Sequence, residues 1–257
     1  IWNRCEELAR FSEQADALTR IFLSPEQAQA SACVAAWMSE AGMQVRSDAL
    51  GNVIGRYEGM QPGLPCLLLG SHLDTVRNAG KYDGMLGVVV AIECVADLHA
   101  RAQRLPFAIE VIGFSDEEGV RFGSTLLGSR AVAGNFDLAA LDVRDRDGVS
   151  MREAMLAAGL DPTKIGTAAY GAGEVLAYAE LLFFAYRGFT RDPDAILRDF
   201  GFGRAHHFAR LVARWQVGGS DRDSRAPLVY RRTIPSRAQI APLRTASLIC
   251  VLHCCNG

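Results

Sequence analysis

Cys66-Leu67-Leu68-Leu69-Gly70, followed at once by Ser71-His72-Leu73-Asp74, is the stretch on which the reading of the fold turns. A short continuous apolar run of this kind has the look of a strand buried on both faces, the habit of parallel sheets. Parallel neighbours need a crossover, and a helical one follows. From Gly84 through Val88, Val89, Ala91, Ile92 and Val95 to Leu98 the apolar residues keep a helical period. Phe107 to Phe114 reads as the next strand and Ser124 to Val132 as the next helix. This alternation predicts an α/β fold, a central mixed sheet with helices on both faces and right-handed crossovers.

Upstream, Ser24-Pro25-Glu26-Gln27 opens the first clear helix. Ser24 is the cap, Pro25 suits the first turn, Gln27 reaches back in a capping box, and Gly42 supplies the stop. Gln44 to Tyr57 alternates around Gly51-Asn52 and reads as two short strands and a turn. Ser150-Met151-Arg152-Glu153 is a second capping box, opening a helix that ends near Gly159. No apolar run approaches the roughly 20 residues that span a bilayer, so a membrane protein is not expected. Seven cysteines without a CxxC pair read as reduced thiols and a cytoplasmic location, with Cys33 and Cys94 as small core residues. The chain starts at Ile1 rather than Met, with no signal-peptide pattern ahead of the first helix, and reads as a fragment or a processed start.

The net charge of −2 conceals a split. Residues 182–257 carry 12 Arg, 5 Asp and neither Lys nor Glu, a net of +7, whereas residues 1–181 carry 15 basic and 24 acidic side chains, a net of −9. The expected division is a partial catalytic domain over 1–181 and an Arg-rich segment over 182–257.

Three clusters fall at the ends of the predicted strands, where open α/β sheets place their sites. In Gly70-Ser71-His72-Leu73-Asp74-Thr75 the imidazole of His72 is a candidate metal ligand and Asp74 its orienting partner; the plainer reading is a loop histidine bonded to a nearby acid. In Tyr82-Asp83-Gly84, Asp83 is a candidate ligand or simply the N-cap of the helix that follows. In Ser115-Asp116-Glu117-Glu118-Gly119 three acids follow a buried strand, costly unless a positive charge sits among them; a solvated helix start is the alternative. Together they supply the nitrogen and oxygen donors preferred by zinc or manganese. Two adjacent glutamates allow one to ligate and the other to take a proton from water.

The stretches GSHLDTV (70–76), KYDGMLGVVVAIE (81–93) and GFSDEEGVRFGSTLLGSRAVAG (113–134) together carry a resemblance. They resemble the amidase branch of the dinuclear-metal aminoacylase and carboxypeptidase clan, which includes allantoate amidohydrolases and N-carbamoyl-L-amino-acid hydrolases. Weaker matches are ELARFSE (7–13), the segment 24–59 and DGVSMREAMLAAGLDP (147–162), so the likeness covers about residues 4–181. RFGSTLLGSRAVAG (121–134) and the segment around Ser150 look most like bacterial allantoate amidohydrolases. The resemblance implies a three-layer α/β/α metallopeptidase-like catalytic domain, incomplete here, with two divalent metal ions, zinc or manganese. It implies His72 on the first metal with Asp74 behind it, Asp83 bridging both, Glu118 on the second, and Glu117 as general base. It further implies hydrolysis of a linear ureido or carbamoyl C–N bond in a small-molecule substrate, allantoate foremost, with an N-carbamoyl-L-amino acid as the alternative.

The resemblance stops inside a motif. Tyr178-Ala179-Glu180-Leu181 fits, but Leu182 stands where the family has the histidine that completes the first metal site. The lid and dimerisation domain of this homodimeric family is not recognisable beyond it, so impaired activity is expected. His206-His207 are adjacent and do not share a face, which argues against their recruitment as ligands. The Arg-rich segment reads either as a binding arm of a non-catalytic product or as out-of-frame or disordered sequence. Without lysine clusters or interleaved aromatics, a nucleic-acid partner is not expected, and composition favours the shifted frame.

Overall fold

The computed structural model describes residues 1–183, 228–231 and 248–254. Strand β3 (Cys66–His72) lies at the centre of a mixed sheet, parallel to β4 (Ala108–Phe114) on one side and to β5 (Val175–Phe183) on the other. Beyond β4 come β2 (Val53–Tyr57) and β1 (Gln44–Ser47), each antiparallel to its neighbour. Beyond β5 come β7 (Leu248–Cys254) and β6 (Leu228–Arg231), also antiparallel, giving the order β1-β2-β4-β3-β5-β7-β6. Every residue of β4 is buried, as a strand covered on both faces requires.

One face packs on α2 (Pro25–Glu40) and α3 (Met85–Ala100): Leu69, Ile109 and Val111 share a core with Val34, Met38, Val88, Val89 and Ile92. On the other face Ile54, Leu68, Ile112 and Phe114 meet Val132 of α4 (Leu127–Val132) and the rings of Tyr170 and Tyr178. A further cluster joins Met151 and Met155 of α5 (Met151–Ala157) to Leu141, Ile165, Phe22 and Phe122. The α/β class with helices on both faces is therefore the observed one.

That second face also holds a buried charge. Glu110, in the middle of the apolar strand β4, accepts hydrogen bonds from Arg46 (2.7 Å), Arg56 (3.0 Å) and the Tyr170 hydroxyl. The group borders a cleft of about 610 Å³.

Several local expectations need correction. A helix, α1 (Trp2–Leu8), precedes the one expected to be first. At α2, Ser24 Oγ accepts from the Gln27 N–H (3.1 Å), but the Gln27 side chain does not close the box. Its Oε1 accepts from the Leu23 N–H (2.7 Å) and its amide donates across to the Ser115 carbonyl, because that side chain is buried against the sheet. At Ser150 both halves of the box are present, with Glu153 N–H on Ser150 Oγ (3.2 Å) and Ser150 N–H on Glu153 Oε2 (2.7 Å). The helix expected from Ser124 begins only at Leu127, since Leu126 adopts a left-handed φ of 62°. Cys33 and Cys94 are partly buried, with Cys33 packed against the core; among the described residues Cys5 and Cys66 are the fully buried thiols. Within the Arg-rich segment, Leu228–Arg231 and Leu248–Cys254 form strands. The remaining expectations for 184–227, 232–247 and 255–257, His206 and His207 among them, lie outside the described residues.

Candidate metal centre

The parallel register pairs His72 with Phe114, so the chain leaves β3 and β4 side by side at their carboxyl ends. The Leu73 N–H still bonds to the Phe114 carbonyl (2.9 Å), which sets Asp74 against the segment that follows β4. There Asp74 works as a clamp: Oδ1 accepts from the Glu117 N–H (3.0 Å) and Oδ2 from the Glu118 N–H (3.1 Å). His72, almost wholly buried, turns Nδ1 toward the Asp74 backbone oxygen (2.8 Å) and Nε2 toward Asp83 Oδ1 (3.8 Å).

Asp83 arrives from the other direction, on the loop before α3. Gly84, not Asp83, precedes the first helical residue, and no side chain caps that end, so the N-cap reading of Asp83 does not hold. Gly84 has φ +76°, and a Cβ there would lie 2.5 Å from the His72 ring. Only glycine lets the backbone take this turn while pressed against the imidazole.

One donor atom each from His72, Asp83 and Glu118 lies within 4.8 Å of the others. The three come from separate segments, with His72 buried and Asp83 about half-exposed. Glu117 stands outside the trio, within electrostatic reach of His72, Glu180, Asp74 and Glu118. Burial foremost pushes its carboxyl up to about 7, with the acids adding to this and His72 opposing. Burial likewise raises Glu118. Burial and then the charge of Asp74 raise Asp116, whose Oδ2 is buried without a partner. For His72, burial works against charge, yet Asp74, Asp83 and Glu117 hold the imidazole well above its usual range. Asp74, Asp83 and Glu117 around one imidazole, with the partnerless oxygen of Asp116 beside Asp74, form a site short of positive charge. A nitrogen and two carboxylates are donors that suit a divalent ion of the zinc or manganese kind.

Three residues of this neighbourhood were not singled out from sequence. Asn52 Oδ1 accepts from the Ser115 N–H (2.9 Å) and hydroxyl (3.1 Å), and its amide donates to the Gly128 carbonyl (3.1 Å), fixing the segment after β4. Glu180, read only as part of a motif, lies 3.5 Å from the Ser71 hydroxyl. Arg20 is buried beneath the loop that follows His72.

Residues 52–147 match the sequence profile of peptidase family M28. The N-carbamoyl-L-amino acid amidohydrolase of Geobacillus stearothermophilus is 44% identical over 182 residues, 70% of this chain and 44% of the relative. The allantoate deiminase of Arabidopsis thaliana is 44% identical over 162 residues, 62% of this chain and 31% of the relative. The crystal structure of AtUAH in complex with (S)-hydroxyglycine superposes with a TM-score of 0.63 at 33% identity, covering 69% of this chain and 44% of that one. The chain thus spans less than half the length of these relatives. Over some 62–70% of its length the chain is similar to N-carbamoyl-L-amino-acid amidohydrolases and allantoate deiminases.

Proposed function

We propose that the chain is the metal-binding part of an amidohydrolase that hydrolyses a linear C–N bond in a ureido or carbamoyl compound, with allantoate the first substrate to test. The observation that carries this reading is the trio His72, Asp83 and Glu118, with donors within 4.8 Å of one another and Glu117 beside them. The substrate class rests on the names of the relatives, and the preference for allantoate on residues 121–134.

In this reading His72 and Asp83 would hold one divalent ion, and Asp83 and Glu118 would hold the other. Bound there, such ions polarise a carbonyl and lower the pKa of water. Glu117 is the general base. Its carboxylate, beside the trio, takes a proton from the attacking water and returns it to the leaving nitrogen, as the C–O bond forms and the C–N bond breaks. Asp74 holds both glutamates by their backbone N–H groups and accepts the Nδ1 proton of His72 on its carbonyl, which leaves Nε2 as the donor. Among the described residues, with Leu182 at the family's histidine position, the first ion has two protein ligands rather than the three a catalytic zinc takes, so weak binding and slow turnover are the expectation.

The test is Mn²⁺ and Zn²⁺ content of the purified chain, with ammonia release from allantoate and from N-carbamoyl-L-amino acids. Metal should be lost in Glu118→Ala, and the slow ammonia release should vanish in Glu117→Gln. Metal content indifferent to Glu118→Ala, or release no greater than that of Glu117→Gln, would sink the reading.

A further inference from the structure

Arg20 is the largest fully buried side chain among the described residues, and it belongs to no step above. Its Nε donates to the Leu73 carbonyl (2.8 Å), and Nη1 donates to the carbonyls of Leu8 (2.7 Å) and Phe11 (3.0 Å). Nη2 lies 2.7 Å from Sδ of Met85. Leu73 directly follows His72, and Met85 is the first residue of α3, two after Asp83. One planar cation therefore reaches both ends of the loop that separates two of the three donors, and ties both to the end of α1.

The backbone repeats the connection. The Arg20 N–H donates to Thr75 Oγ1 (2.9 Å) and the Thr75 N–H to the Arg20 carbonyl (2.8 Å). The Asn78 N–H donates to Thr19 Oγ1 (3.0 Å) and the Ala79 N–H to the Leu18 carbonyl (2.8 Å). Residues 18–20 thus run along 75–79 as a strap. Burying a guanidinium is costly, and packing alone would be served as well by an apolar side chain. What an apolar residue cannot supply is a rigid fork with donors in several fixed directions.

We infer that Arg20 is a positioning residue, setting the spacing between His72 and Asp83 by bracing the two ends of the loop that joins them. The inference rests on the metal-site reading.

The test uses the full chain and Mn²⁺ alone, with bound ion followed by electron paramagnetic resonance. Arg20→Lys keeps the charge but loses the fork. Thr75→Val removes one hydroxyl of the strap and is the milder variant should Arg20→Lys fold poorly. Met155→Ala, in a separate core cluster, controls for lost stability. Arg20→Lys should weaken Mn²⁺ binding by about tenfold or more, the usual effect of removing a group that orients a ligand. Thr75→Val should weaken it in the same direction, and hydrogen exchange should accelerate over 74–84 ahead of α5. Met155→Ala, matched for melting temperature, should leave affinity unchanged. Equal affinity in the Arg20 and Thr75 variants, or an equal loss in Met155→Ala, overturns the inference alone. A parent chain that binds no Mn²⁺, or binds it regardless of Glu118→Ala, overturns the metal-site reading and the inference with it.

Discussion

Replacing Glu110 by Gln removes the charge on which two guanidiniums converge. Glu110 is nearly fully buried; the side chain of Arg56 is 18% exposed and that of Arg46 is 46% exposed. Deleting one member of a buried pair costs about 3–5 kcal/mol because the other charge is left uncompensated. Here both arginines keep some access to water through the cleft, Arg56 keeps its pairing with Glu58 (2.8 and 3.1 Å), and Gln retains one accepting oxygen. The lower end, about 3 kcal/mol, is the expected loss. At a urea slope of about 2 kcal/mol/M that is a midpoint lowered by about 1.5 M.

The same substitution carries a pH signature. Burial pushes the Glu110 carboxyl up, but the bonds from Arg46 and Tyr170 and the charge of Arg46 outweigh it, so its pKa ends below the ordinary 4.5. A carboxyl depressed in the folded state binds more protons when unfolded. Its contribution is therefore complete above pH 4.5 and is lost as pH falls through the folded value. Urea unfolding of parent and variant from pH 7 to 3.5 should show a gap that is constant at first and then narrows below 4.5. A gap under about 1 kcal/mol at pH 7, or one that fails to narrow on acidification, would refute the reasoning.

Gly84→Ala forces a residue at φ +76° and ψ −59° to carry a Cβ, a cost of about 1–3 kcal/mol, and drives that atom into the His72 ring. Urea unfolding should register the loss and Mn²⁺ titration a weakened site; unchanged metal affinity would mean the loop does not press on the imidazole. Ser150→Ala removes the cap of α5 and should cost about 1 kcal/mol in chemical unfolding, with no change in metal content. Met155→Ala empties a fully buried site and should cost about 2–5 kcal/mol; a loss below 1 kcal/mol would mean that cluster is loosely packed.

The strands were legible because β3 and β4 are continuous apolar runs, and the location of the acids was legible because parallel strands present their carboxyl ends together. The cap at Ser150 was equally plain, a local pattern with both partners three residues apart. What stayed hidden depends on distance along the chain. Arg20 meets Leu73 and Thr75, 53 and 55 positions away, and Asn52 meets Ser115, 63 away. A single polar residue in a stretch of ordinary composition carries no trace of so remote a partner. Asp83 was ambiguous between cap and ligand because both begin as an acid before an apolar helix; the positive φ of Gly84, a matter of backbone, separates them. Glu110 went unremarked because one acid does not disturb the period of an otherwise apolar strand.

The three donors all lie on one strand–helix–strand unit, β3 through α3 to β4. That gives the site a topological meaning of its own. Ions held between His72 and Asp83 and between Asp83 and Glu118 would close two loops within residues 72–118, in the manner of cross-links made by coordination rather than by sulfur. Closing short loops is entropically mild, and every group needed for it has been synthesised before β5 exists. An ion seated there would act as a rivet through the central crossover and favour its folding, independently of any turnover.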